Sequence, residues 1–144
     1  MINDIQEEKL IDSINLLLEK YNIKVVDLTI LSYKKESKFK VVIFSDNNLN
    51  HDLMEKVHWK IDKIIEDAKY RDYTIELSSP GINRIFKNDK EYNIFKNKKL
   101  KLILKENKIV EGINRGLKGN IVEIINNDKS MLVDIDNIIK AKLA

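Results

Sequence analysis

Proline and glycine are so scarce in this chain that their one adjacent pair divides it. The 144 residues include one proline and four glycines, and Pro80-Gly81 places two of these five side by side. An alternating apolar stretch, Tyr73, Ile75 and Leu77, runs into Ser78 and Ser79, then into the pair, then reaches Arg84. Proline fixes φ and lacks a backbone donor, so a strand that enters Pro80 cannot continue through it. Glycine accepts the positive φ that a Pro-Gly turn usually takes, so a left-handed Gly81 is expected. The segment reads as a junction between two folded pieces.

The charge changes sign at the same place. Residues 1–82 hold 12 Lys and Arg against 15 Asp and Glu, a net −3; residues 83–144 hold 14 against 8, a net +6. This division predicts an acidic domain over 1–82, a basic domain over 83–144, and a connector over about 80–97. The chain is 43% apolar, which suffices for two small cores. Zero cysteines exclude disulfides, thiolate metal sites and thiol catalysis. No apolar run approaches ~18 residues, so no membrane partner is expected. The acidic start, Met1 to Glu8, lacks the basic-then-apolar order of an export signal. A cytoplasmic protein is expected.

Asn3 with Gln6 resembles a capping box, and Leu10, Ile11, Ile14, Leu17, Leu18 and Tyr21 recur at helical spacing, which predicts a helix over about 4–21. Ile23–Leu31 and Phe39–Ser45 read as strands joined by the polar loop Tyr33 to Lys38. Asp46-Asn47-Asn48-Leu49-Asn50 offers several N-caps for a second helix reaching about Ala68. Its apolar face carries Leu53, Val57, Ile61, Ile64, Ile65 and Ala68. A strand Tyr73–Ser79 completes an α-β-β-α-β order, for which two helices on one face of a three-stranded sheet is the natural packing. In the second half, Asn88-Asp89-Lys90-Glu91 is suited to cap a short helix bearing Tyr92 and Phe95. Short strands then follow closely at Leu100–Lys105, Ile109–Asn114, Ile121–Asn126, Met131–Ile135 and Ile138–Leu143. Turns fall at Glu106-Asn107, Gly119-Asn120 and Asn127-Asp128. Five short strands without helical period predict a small closed β-barrel, since closure removes exposed edges. Gly-Ile-Asn-Arg occurs at both 81–84 and 112–115 with unmatched flanks, and we read this as coincidence.

An α-β-β-α-β domain that ends in Leu77-Ser78-Ser79-Pro80-Gly81-Ile82-Asn83-Arg84, followed by a five-stranded β domain, resembles the bacterial ribosome maturation factor RimP family. The resemblance covers essentially the whole chain, from Val26-Asp27-Leu28 through Leu100–Leu104 to the closing Asp136–Leu143. It implies an α+β fold with an Sm-like or SH3-like barrel. It also implies a non-catalytic factor that binds the immature small (30S) ribosomal subunit and assists its assembly, through rRNA and a basic ribosomal protein. A monomer without cofactors or a metal is implied. Three positions depart from the family pattern, which commonly has Asp at Asn83, Pro at Ile85 and Gly at Asn97. Asparagine is the non-glycine residue that best accepts left-handed geometry, so the turn at Asn97 should survive.

The charge division suggests a mechanism without reference to family. A basic barrel favours RNA phosphates, and an acidic domain favours a basic protein partner. The candidate contacts are Arg84, Lys87, Lys96, Lys98, Lys99, Lys101, Arg115, Lys118, Lys140 and Lys142. Most surface lysines are simply solvated; Arg84 and Arg115 stand out because guanidinium forks match phosphate geometry. Ser78 and Ser79 are suited either to bind phosphate or, as turn chemistry favours, to satisfy backbone donors, in which case Ser78, Ser79, Pro80, Gly81 and Asn83 set the junction. His51, Glu55 and His58 share a helical face in an order matching no dependable zinc pattern, so they read as solvated. Trp59 projects away from the apolar face and is a candidate partner contact. No phosphate loop, nucleophile elbow or triad spacing points to an enzyme. The other reading that stays open is a general Sm-like RNA-binding module outside ribosome assembly, which would form oligomeric rings.

Overall fold

The computed structural model describes residues 4–47 and 49–144. The chain divides into two compact units, Met1–Pro80 and Gly81–Ala144. The first is built from α1 (Asp4–Leu18), β1 (Lys24–Ser32), β2 (Ser37–Phe44), α2 (His51–Asp67) and β3 (Tyr73–Ser78). Its sheet has the order β1-β2-β3, with β1 antiparallel and β3 parallel to β2. Register places Val25, Leu28, Val41, Ile43, Ile75 and Leu77 on one face, and the two helices bury that face. Helix α1 contributes Leu10, Ile14 and Leu18, and α2 contributes Val57, Ile61 and Ile65, each set repeating every four residues. The opposite face carries Lys38 and Glu76, paired at 3.4 Å.

Local chemistry explains where these elements end. Helix α1 stops at Leu18 and tightens into a 3-10 turn, Glu19–Tyr21, because Asn22 adopts left-handed geometry at φ 56° and its N–H bonds Glu19 O. The expected single helix to residue 21 is thus α-helical only to 18. Among the cap candidates for α2, Asn50 serves, with its side chain accepting from the Leu53 N–H at 2.8 Å. The Asn3 cap and the candidate Asn48 lie outside the described residues. Tyr70 and Tyr73 pack edge-on against fully buried Phe39, and the Tyr73 hydroxyl donates to the Asp62 carboxylate. Burial first, then that hydrogen bond, pushes the Tyr73 hydroxyl up to about 12.

The second unit contains α3 (Lys90–Ile94), β4 (Lys99–Leu104), β5 (Ile109–Lys118), β6 (Ile121–Asn126), β7 (Lys129–Asp134) and β8 (Ile138–Leu143). All ladders are antiparallel, in the order β7-β6-β5-β4-β8. Leu100, Leu102 and Leu104 alternate inward and meet Val122, Ile124, Val133, Ala141 and Tyr92. The turns take left-handed residues where expected. Asn127 and Asp128, at φ 50° and 64°, form a two-residue hairpin between Asn126 and Lys129, which pair.

Two expectations change here. Strand β5 does not stop at Asn114 but continues to Lys118 through an irregularity between Asn114 and Leu117, where Gly116 takes φ 99°. The five strands do not close by hydrogen bonding. Among the described residues no ladder joins β7 to β8, because the connector occupies the outer edge of β8 instead. The Phe86 N–H bonds Ala141 O at 2.8 Å, the Leu143 N–H bonds Arg84 O at 2.9 Å, and Ile85 bridges Lys142.

Candidate nucleic-acid interface

The connector differs from the Pro-Gly turn expected of it. Gly81 is not among the left-handed residues, and a Cβ there would meet nothing within 4 Å. The turn begins at Gly81 instead, with the Arg84 N–H bonding Gly81 O at 3.1 Å and Ile82 and Asn83 exposed at its tip. Ser78 is the last residue of β3, paired with Val42, and Ser79 is exposed. Neither hydroxyl is hydrogen-bonded among the described residues, so the serines do not satisfy the turn's donors.

Arg84, a leading candidate for RNA contact, is turned inward. Its side chain is 11% exposed, and its Nε donates at 2.8 Å to Oε1 of a fully buried Glu91. The other carboxylate oxygen of Glu91 accepts from the N–H groups of Lys87 at 2.7 Å and Asn88 at 3.2 Å. With Asn88 Oδ1 accepting from the Lys90 N–H, this is a capping-box arrangement at the start of α3. Glu91 therefore gathers the connector around one buried carboxylate, and Arg84 neutralises it. Phe86 closes the site, stacked on Phe95 at 5.4 Å and edge-on to Tyr92 at 5.2 Å. Burial, then the charges of Asp89 and Glu91, push the Tyr92 hydroxyl up to about 12.

The lysines behave differently. Because Leu100, Leu102 and Ala141 point inward, Lys99, Lys101, Lys140 and Lys142 share the outer face of β4 and β8. Register sets Lys101 directly opposite Lys142 and puts Lys140 opposite Ile103. On the other side of Lys101 stands Glu111 of β5. Like charges directly across a ladder cost stability, so the half-buried Lys101–Lys142 pair, with Glu111 on its other side and exposed Lys99 and Lys140 beside it, is one that packing alone does not call for. Around Asn97 there is a second group. Arg115 Nη1 donates to Asn97 Oδ1 at 2.8 Å, and the Lys98 carbonyl accepts from the Asn114 N–H. Lys96 lies beside Gly116. Lys87 and Lys118 are exposed, and strand register draws neither into a group.

Two structural residues escaped the pattern. Glu91 read only as part of a cap, although an Asn-x-x-Glu spacing already hinted that its carboxylate folds back. Asn114 is fully buried: its Nδ2 donates to Tyr92 O and Phe95 O, and its Oδ1 accepts from the Gly116 N–H. It ties α3 to the irregularity in β5. The two Gly-Ile-Asn-Arg copies are thus unlike, one an open turn and the other a strand with a buried asparagine.

The ribosome maturation factor RimP of Borrelia garinii subsp. bavariensis is 34% identical to this chain over 128 residues, 88% of each protein. The chain belongs to the RimP family. Its residues 13–83 match the RimP N-terminal domain, and the ribosome maturation factor RimP of Borrelia turicatae aligns at 24% identity over the full length of both proteins. The role of a RimP chain is ribosome maturation. Two departures from the RimP pattern are accommodated by geometry. Asn97 takes φ 72°, the conformation that glycine would supply. At Ile85 the connector's bonds to β8 use the Arg84 carbonyl and the Phe86 N–H, so that pairing does not need the N–H a proline would lack. Trp59 lies on α2, 67% exposed, as its place on the helix predicts.

Proposed function

We propose that this chain binds the immature small ribosomal subunit and assists its assembly without catalysing a reaction. The outer lysine face of β4 and β8 meets rRNA phosphates, and the acidic first unit meets a basic ribosomal protein. The observation that carries this reading is the cross-strand set Lys99, Lys101, Lys140 and Lys142, gathered by register on one face. The order β8-β4-β5-β6-β7 supports an Sm-like or SH3-like β domain with an open seam. A monomer is favoured over a ring. Edge-to-edge ring assembly needs two free edges, and the Arg84–Phe86 connector occupies that of β8. The division of charge at residues 80–83 supports two domains with different partners, and the place of work is then the bacterial cytoplasm.

The test is co-sedimentation of the full chain with immature small subunits over a series of salt concentrations. A Lys101→Gln/Lys142→Gln variant should bind more weakly, with the salt slope reduced by roughly 0.9 for each phosphate no longer neutralised. Absence of co-sedimentation at low salt would refute the proposal. Ring-sized particles in gel filtration would favour the general RNA-binding module instead.

A further inference from the structure

The first unit is acidic overall, yet its charges are segregated. At one end of its sheet an open cleft of about 1130 Å³ is walled by α1, the β1–β2 hairpin and the loop between α2 and β3. Five of the unit's 12 cations line it: Lys9, Lys34, Lys35, Lys69 and Arg71. Among the described residues, three of its 15 carboxylates do so: Glu36, Asp67 and Asp72. The described lining is therefore net +2, against net −5 for the other residues of 1–82. All five cationic residues are exposed, and among the described residues none is held in an ion pair. Gathering unpaired like charges on one rim opposes the compact state, so the fold itself does not explain the cluster.

The rim is held by backbone bonds. The Tyr33 N–H closes the hairpin tip onto Glu36 O at 2.8 Å, and the Ser37 N–H bonds Asp72 O at 2.9 Å. The second bond joins the hairpin to the α2–β3 loop, so Lys34 and Lys35 are held on the same rim as Lys69 and Arg71. Beside the hairpin lysines stands Tyr33, with 59% of its surface exposed. A single-stranded nucleic acid uses both features at once, phosphates on the cations and a base face on the ring. An acidic peptide would use the cations and leave the ring without a partner.

We infer that this cleft is a single-stranded RNA site on the first unit, separate from the lysine face of the second. The inference rests on the ribosomal reading for its source of RNA, but its test needs no ribosome. The probe is a fluorescently labelled oligouridylate of about ten nucleotides, within the site sizes such grooves take, bound by the full chain and followed by anisotropy. Tyr33→Ala should weaken binding roughly tenfold at fixed salt and leave the salt slope unchanged. Lys34→Gln/Lys35→Gln should flatten the slope by about 1.4, for two phosphates of a single strand. Both effects should persist when Lys101→Gln/Lys142→Gln is added. All three cleft positions are exposed, and circular dichroism checks that the variants fold. No oligouridylate binding by the unaltered chain, or unaltered binding by both cleft variants, would overturn the site even if subunit co-sedimentation were intact. Tighter binding of polyglutamate that depends on Lys34 and Lys35 but not on Tyr33 would overturn the RNA assignment. If instead co-sedimentation fails while oligouridylate binding follows the cleft variants, the site stands and the subunit reading falls.

Discussion

Replacing Glu91 with alanine should cost the second unit a large part of its stability. The carboxylate is fully buried and is the counter-charge of Arg84, whose side chain is 11% exposed. Removing one partner of a buried pair typically costs about 3–5 kcal/mol, because the other charge is left uncompensated. The part-buried N–H groups of Lys87 and Asn88 also lose their acceptor. Some swing of Arg84 toward solvent keeps the total near the low end, about 3 kcal/mol. The unit spans Gly81–Ala144, and at about 0.05–0.15 kcal/mol per residue its stability is roughly 3–10 kcal/mol. With a urea dependence near 1 kcal/mol per molar, the midpoint should fall by about 3 M, or the unit should unfold without denaturant.

Two probes separate the units. Trp59 is the chain's single tryptophan and lies in the first, so its fluorescence follows that unit. Amide NMR signals of residues 99–143 follow the second. The expected result is a displaced amide transition with the Trp59 transition retained. Arg84→Met combined with Glu91→Leu should recover most of the stability, since no buried charge then remains. An amide midpoint within about 0.5 M of the unaltered chain would refute the assignment of Glu91 as the anchor of the connector.

Four other outcomes follow from the same geometry. Gly112→Ala should destabilise the second unit by about 1–3 kcal/mol, since a Cβ there meets Ile125 O at 2.5 Å and Ile124 Cγ2 at 2.7 Å. Gly81→Ala should be neutral or slightly stabilising, because its site is open and its φ is not left-handed; thermal melts of the two compare them directly. Asn114→Leu should expose the Gly116 amide to faster hydrogen exchange and lower the melting temperature, since it removes three buried bonds to Tyr92, Phe95 and Gly116. In alkali, Tyr73 and Tyr92 titrate in the folded chain near 12, above the ordinary value of 10.0. Their contribution is fully present below pH 10 and is lost as pH rises toward 12. Tyrosinate absorbance in Tyr73→Phe and Tyr92→Phe should each lack one late-titrating group.

The repeating parts of this fold were legible because they repeat. Leu100, Leu102 and Leu104 announce a half-buried strand, and Val57, Ile61 and Ile65 announce a helix face, through periods of two and about four that need no knowledge of partners. Asn127-Asp128 and Asn97 were legible for a different reason, as few residues accept left-handed backbone. Asn114 defeated the pattern because a buried polar residue interrupts the apolar alternation. Only the carbonyls of Tyr92 and Phe95, about 20 residues away, explain its presence. The cover on β8 was equally hidden, since an edge is occupied by whichever segment returns to it.

Arg84 shows most clearly what composition leaves undetermined. A lone arginine after the chain's one proline carries the marks of a ligand-binding residue: a rare type, a junction, a basic domain. Its fate depends on Glu91, seven residues later, through a turn whose path no periodicity describes. The Asn88-to-Glu91 spacing predicts that the carboxylate folds back over the helix start, and the Arg84 carbonyl bound to Leu143 brings the arginine past that same point. Once both are true, a buried carboxylate needs a cation, and Arg84 supplies it. The residue beside the junction therefore fixes the connector, and the other cations are left to the strands and the cleft, where register and loop closure gather lysines that no single stretch of sequence places together.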